Sequence, residues 1–258
     1  MGYWEDRQAD SLAKISNKSI NTIDKQMRKY YAETMERVIA DFEATHTKLL
    51  ATIEDGRQPT PADLYKLDKY WKLQAQCRAE LEKLGDKQLA LLSKNFEANW
   101  FEVYYSINIE GATAFTTLDK SMVAQMINAI WTADGKSWSS RIWDNTSRLQ
   151  ETLNEELLHI VVSGKKTTEL KRLLQERFNV SYSRADALVR TEVAHIQNEA
   201  ARKRYEDYGV QEVEVWADPD ERRCEVCAKL HKKVYPVGAT LPVPAHPRCR
   251  CSVLPVIV

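Results

Sequence analysis

Four of the five cysteines in this chain of 258 residues fall within 28 positions of one another near its end, with a histidine among them. The pattern is Cys224-x2-Cys227, then eighteen residues, then His246-Pro247-Arg248-Cys249-Arg250-Cys251. No other stretch constrains the fold as much, because two separate loops must meet if these side chains share an ion. Two cysteines separated by two residues can turn both sulfurs inward at a knuckle, and zinc takes Cys and His in sets of four. Cys224, Cys227, His246, Cys249 and Cys251 supply one ligand more than a closed structural site needs, so one of the last three is expected to stand aside. Cys249 and Cys251 count against a site that uses both, since residues two apart on an extended strand point to opposite faces. Spacing alone leaves three readings open: structural zinc, reduced buried thiols, or disulfides. A site filled by protein ligands has no open coordination position for hydrolysis.

An odd cysteine count without a secretory signal points to a reducing compartment and favours metal over disulfide. Met1–Arg7 has neither a basic, apolar leader nor a myristoylation pattern, so no export is expected. The longest aliphatic stretch, Leu157-Leu158-His159-Ile160-Val161-Val162, is far shorter than the roughly 20 residues of a membrane helix. An apolar fraction of 43% supports a real core, in one large domain or two ordinary ones. The 37 basic and 37 acidic residues cancel, so no global field draws the chain onto nucleic acid and any DNA contact must be local.

The fold class expected is mainly α: a long helical N-terminal arm and a helical body, with a small C-terminal α+β module, zinc-stapled if the metal reading holds. Apolar residues from Ile20 to Leu49 recur at three- and four-residue steps, which predicts one helix from Lys18 to about Ile53. Gly56-Arg57-Gln58-Pro59 breaks it. Thr60 and Pro61 suit an N-cap and first helical position. The second helix of this hairpin runs from Ala62, is loosened near Gly85, and ends at Gly111. Ser121 is predicted to cap a short helix to Trp131, and Ser139 or Ser140 one that passes through Leu157 and stops at Ser163-Gly164. Thr167-Thr168 opens a further helix through Phe178, and Ser183 another that ends at Gly209. Trp100, Phe101, Tyr104, Tyr105, Trp131, Trp138 and Trp143 are read as core filling, and His159 as a core histidine. Glu212–Trp216 alternates as a half-buried strand does, and 232–235 and 251–254 read as two more. The chain therefore divides into a helical hairpin arm at 1–120 and a second domain at 121–258, of which 210–258 is the small β/Cys-His module.

Val189-Arg190-Thr191-Glu192-Val193-Ala194-His195-Ile196-Gln197-Asn198-Glu199-Ala200 is followed by the Gly209-Val210 turn, the strand to Trp216, Cys224-x2-Cys227, Leu230 and Pro244-Ala245-His246-Pro247-Arg248-Cys249-Arg250-Cys251. This order, over roughly 140–255, resembles the minor head, or head morphogenesis, protein family of tailed bacteriophages typified by Mu protein F. His231 departs from it, since relatives often carry Asp-Gly after the leucine. The resemblance implies a structural, non-enzymatic virion protein of few copies, in the head interior and in the host cytoplasm during assembly. It implies a portal protein as partner, with major capsid or scaffolding protein and genomic DNA as further candidates, no membrane, and a role in packaging or ejection. Some relatives carry a C-terminal toxin; none is expected here, where Val258 follows directly on the motif.

Glu192 and His195 lie three apart on one helix face, which permits a general-base pair. The plainer expectation is that Arg190, Glu192 and His195 tie the last helix to the β-module. Arg184, Arg202, Lys203 and Arg204 form the candidate DNA contact, to phosphates rather than bases, although Glu199, Glu206 and Asp207 are interleaved with them. Two other functions compete: a metal-dependent nuclease of the His-Asn-His type, for which His231 and Asp220 are the nearby candidates, and a zinc-stabilised interaction module unrelated to virions.

Overall fold

In the first helix, Leu12, Ile15, Ile23, Met27, Tyr31, Val38 and Phe42 are all buried, and their three-, four-, seven- and eight-residue steps define one face of an α-helix. The computed structural model describes residues 3–50, 60–65, 67–109, 118–163, 167–218 and 220–257. Helix α1 spans Tyr3–Leu50, so it begins well before Lys18, because Ala9 and Leu12 carry the buried stripe upstream. The break at Gly56–Pro59, the stops at Gly111 and Gly164, and Ile53 lie outside the described residues.

Thr60 caps α2 (Pro61–Tyr65) reciprocally: its hydroxyl accepts from the Asp63 N–H at 3.3 Å, and its own N–H donates to Asp63 Oδ2 at 3.0 Å. The chain then breaks and restarts as α3 (Asp68–Ser106), rather than running on from Ala62. Helix α3 passes through Gly85 without interruption. A Cβ there would lie 2.6 Å from the Trp143 ring, so glycine is required by close packing and marks no weak point. Helix α4 (Lys120–Ile127) is capped by Asp119, whose carboxylate accepts from the Ser121 N–H at 2.9 Å; the expected cap, Ser121, is instead the donor, and the helix ends short of Trp131. Helix α5 (Trp138–Val162) starts just before Ser139.

Where two helices were expected at 167–209, one runs unbroken, α6 (Thr167–Asp207). The serines near residue 183 do not cap a helix start. Ser181 is buried and takes a hydrogen bond from Asn145 Nδ2 at 3.0 Å instead.

Contacts divide the chain into two compact units, each made of discontinuous segments. The unit formed by Lys25–Ala90 and Ser139–Ala185 is helical. Within it α1 and α3 run antiparallel, since Glu33 pairs with Lys87 and Arg37 with Glu80. Met27, Phe42, Leu84, Leu153 and Phe178 fill its core. One polar node is buried there: Asn145 also donates to the Ser181 carbonyl at 2.9 Å and to the Tyr31 hydroxyl at 3.3 Å. Burial pushes the Tyr31 phenol up to about 12.

The other unit comprises Met1–Asp24, Leu91–Trp138 and Asp186–Val258. Here Trp100 stacks on Tyr104, and Phe96 meets Trp138 edge-on. Of the aromatic set read as core, Trp100, Tyr104 and Trp138 are buried, Phe101, Trp131 and Trp143 are half-buried, and Tyr105 is 61% exposed. His159 is exposed, not in the core, because it falls on the outer face of α5 while Leu157 and Ile160 take the inner one.

Past α6 the chain forms β1 (Glu212–Trp216), a short α7 (Glu225–Leu230) that the sequence pattern is too brief to reveal, β2 (Val234–Pro236) and β3 (Ser252–Pro255). The sheet order is β2-β1-β3, all antiparallel, with Glu212 opposite Pro236 and Val213 opposite Pro255. Val213 and Val215 on β1 are fully buried, as the alternation requires. Among the described residues no helix is long and apolar enough to cross a membrane.

Candidate metal centre

Cys224 takes an extended conformation and N-caps α7, its sulfur accepting from the Cys227 N–H at 3.4 Å. That turn sets the two sulfurs on one side. The opposing arm is the His246–Cys249 turn, closed by the Cys249 N–H on the His246 carbonyl at 3.1 Å. Arg248 within it has φ +61°, a left-handed conformation that costs a non-glycine residue about 1–2 kcal/mol. Two contacts to α6 offset that cost: the Arg248 N–H donates to Thr191 Oγ1 and its guanidinium to Asp186 Oδ2, both at 3.0 Å.

His246 Nδ1 lies 2.9 Å from the Pro247 carbonyl oxygen, which can only accept, so Nδ1 carries the proton and Nε2 is free to act as a ligand. Nε2 faces Cys224 Sγ at 3.3 Å and Cys227 Sγ at 3.1 Å. Cys227 Sγ is 3.8 Å from Cys249 Sγ. All five cysteines are free thiols. Cys224, Cys227 and His246 form one group able to hold a metal ion, and Cys227, Cys249 and Cys251 a second, with donor atoms in each within 4.8 Å of one another. All five side chains singled out in the sequence thus converge, and Cys227 belongs to both groups.

Cys249 and Cys251 do not point apart as strand residues would. Arg248 turns the backbone just before them and β3 begins only at Ser252, so the strand alternation does not yet apply.

Each group's proton affinity follows from its neighbours. A hydrogen bond from the Cys251 thiol, assisted by backbone N–H groups, holds Cys249 down to about 5. The same bond, with burial, pushes Cys251 up. Burial raises Cys227 to about 12. The Cys227 N–H lowers Cys224, and the Pro247 carbonyl, with the nearby sulfurs, raises His246. Sulfur and imidazole donors crowded together suit a borderline-soft divalent ion such as zinc and not Mg2+ or Ca2+.

A shallow cleft opens beside the cluster, with Arg222, Arg223, Arg248 and Arg250 along its lining. Arg250 grips both oxygens of Asp220 at 2.6 and 2.7 Å and holds that carboxyl down at about 2. Asp220 is thereby committed to an ion pair. His231, the other nuclease candidate, accepts the Ala217 N–H at Nδ1 and sets its ring edge-on to Trp216.

The expected tie between α6 and the β-module exists, but mostly through other residues. Asn198 Nδ2 donates to the Cys251 carbonyl at 3.0 Å, Gln197 Nε2 to Ser252 Oγ at 3.1 Å, and Tyr205 Oη to the Val253 carbonyl at 3.3 Å. Arg190 takes part through Asp186, the carboxylate it shares with Arg248. Glu192 and His195 face the segment before α5: Trp131 Nε1 donates to Glu192 Oε2 at 3.0 Å, and His195 stacks on the same indole at 4.3 Å. Burial lowers His195 to about 4. A signal for Gln197 was present, because Val193, Ala194, Ile196, Ala200 and Ala201 share one face of α6 and Gln197 falls in the middle of it.

Of the basic residues considered for DNA, Arg202 pairs with Glu199 and Glu206, Lys203 with Asp207, and Arg204 lies over Tyr104 and Tyr208. Arg184 is exposed and belongs to the other unit.

Residues 151–254 match the family model described as Phage Mu protein F like protein. No curated protein and no solved structure matches the chain.

Proposed function

We propose that this chain, whose residues 151–254 match the Phage Mu protein F like family model, is a minor head protein of a tailed bacteriophage or prophage, docking on the portal or inner capsid surface during head morphogenesis. The observation that carries this reading is the extent of the match, which takes in the α6 segment that hooks the β-module, the whole Cys/His cluster and β3 as far as Leu254. The role is structural. Zinc, held by the Cys/His cluster, staples the module into a rigid docking surface, and the arginines lining the cleft favour an acidic partner face. Capsid, scaffolding protein and genomic DNA are secondary partners, and packaging or ejection is the step served.

The test is co-expression of the full chain with a portal protein of the same phage, followed by purification and measurement of stoichiometry and bound zinc. A complex of fixed stoichiometry with one zinc per chain is expected. Failure to associate would overturn portal docking, whereas association without zinc would keep docking and remove the staple.

A further inference from the structure

The five candidate ligands form two groups that share Cys227, and a closed zinc site takes four. This inference rests on the metal-staple reading above. The arms are built alike. Cys224 and Cys227 are separated by two residues, as are His246 and Cys249. In each pair the N–H of the second residue turns back onto the first, onto Cys224 Sγ in one arm and the His246 carbonyl in the other. Their donor atoms form a connected series: Cys224 to His246 at 3.3 Å, His246 to Cys227 at 3.1 Å, Cys227 to Cys249 at 3.8 Å. Around a tetrahedral ion with metal–sulfur bonds of about 2.3 Å, neighbouring sulfurs are about 3.8 Å apart.

Cys251 is held differently. It comes after the turn, its carbonyl is fixed to α6 by Asn198, and Ser252 beside it already pairs with Trp216 in the sheet. Its sulfur lies against those of Cys249 and Cys227, all three within 4.8 Å of one another.

We propose that Cys224, Cys227, His246 and Cys249 hold a single divalent ion of the zinc class, and that Cys251 is a positioning residue packed against the Cys249 sulfur. A ligand sulfur packed in this way is fixed in orientation. Through the Asn198 contact the same residue also couples ion binding to α6.

The experiment is titration of the metal-stripped full chain with Co2+, read by visible absorption, on the parent and on four variants, with far-UV circular dichroism as a check of folding. One equivalent of Co2+ with tetrahedral ligand-field bands and three-thiolate charge-transfer intensity is expected for the parent. Cys224→Ala, Cys227→Ala and Cys249→Ala should each lose about a third of that intensity, together with most of the affinity. Cys251→Ala should keep the full charge-transfer intensity and bind about 10- to 100-fold more weakly, the range typical of outer-shell partners. Loss of charge-transfer intensity in Cys251→Ala, or its retention in Cys249→Ala, would overturn the assignment while leaving the metal centre in place. A parent chain that takes up no Co2+ would overturn the metal reading itself.

Discussion

In the helical unit of Lys25–Ala90 and Ser139–Ala185, the core positions are large apolar side chains such as Phe42, Leu81, Leu84, Leu153 and Phe178. In the module that follows α6, the fully buried apolar side chains are Val213, Val215, Val253 and Leu254, and three other buried positions are Cys227, Cys249 and Cys251. A buried leucine or phenylalanine contributes about 1.5–3 kcal/mol, so the helical unit has many small, separate supports. A few valines on three short strands cannot stabilise the module in the same way, and small modules of this kind depend on a staple. The helical unit should lose stability in increments. The module should be held or lost as a whole.

The sharpest way to break that contrast is to remove the ion proposed for the Cys/His cluster. Binding of a structural zinc is worth on the order of 10 kcal/mol. Chelation, or Cys227→Ser at the position common to both ligand groups, should therefore abolish the near-UV signal of Trp216 while helical circular dichroism changes little. A module that stays folded would mean that thiol packing suffices.

Next in size is the pH response of the α6 segment that carries the module. Burial first, with Arg202 adding to it and Glu199 opposing, lowers His195 from 6.5 to about 4. The unfolded chain takes up this proton below about pH 6.5 and the folded chain only near pH 4, so stability is complete above that window and falls as pH drops through it. The loss amounts to about 3 kcal/mol in all. His195→Phe, which preserves a ring against Trp131, should flatten the dependence of the urea midpoint on pH between 7 and 4.5 relative to the parent; equal slopes would count against it.

Within the helical unit, Asn145→Ala strips partners from Ser181 and Tyr31 and should cost about 2 kcal/mol, seen as a lower thermal midpoint with metal affinity unchanged. The smallest change is Gly85→Ala. Alanine favours a helix by about 1 kcal/mol, but overpacking against the Trp143 ring costs about 1–3 kcal/mol, so a net loss of about 1 kcal/mol is expected in urea unfolding. A gain would show that the indole yields.

Legibility followed the range of the interactions. The strand Glu212–Trp216 and the convergence of the Cys/His cluster were readable because alternation and Cys/His spacing are local rules. Helix α6 was divided at Ser183 because serine is a strong local cap signal, and nothing local discloses that Ser181 is engaged by Asn145. Gly85 looked like a weak point for the same reason: the Trp143 ring that requires it is far away in sequence. The turn at Arg248 that keeps Cys249 and Cys251 in one group depends on Thr191 and Asp186, on a different element.

Both outer strands of the sheet carry a proline, Pro236 on β2 and Pro255 on β3. Proline has no N–H to offer an incoming strand, and each outer strand is only a few residues long. The module is thus poorly suited to edge-to-edge polymerisation. Where copies of the chain meet at high concentration, its sheet stays a finite surface and does not seed a fibre.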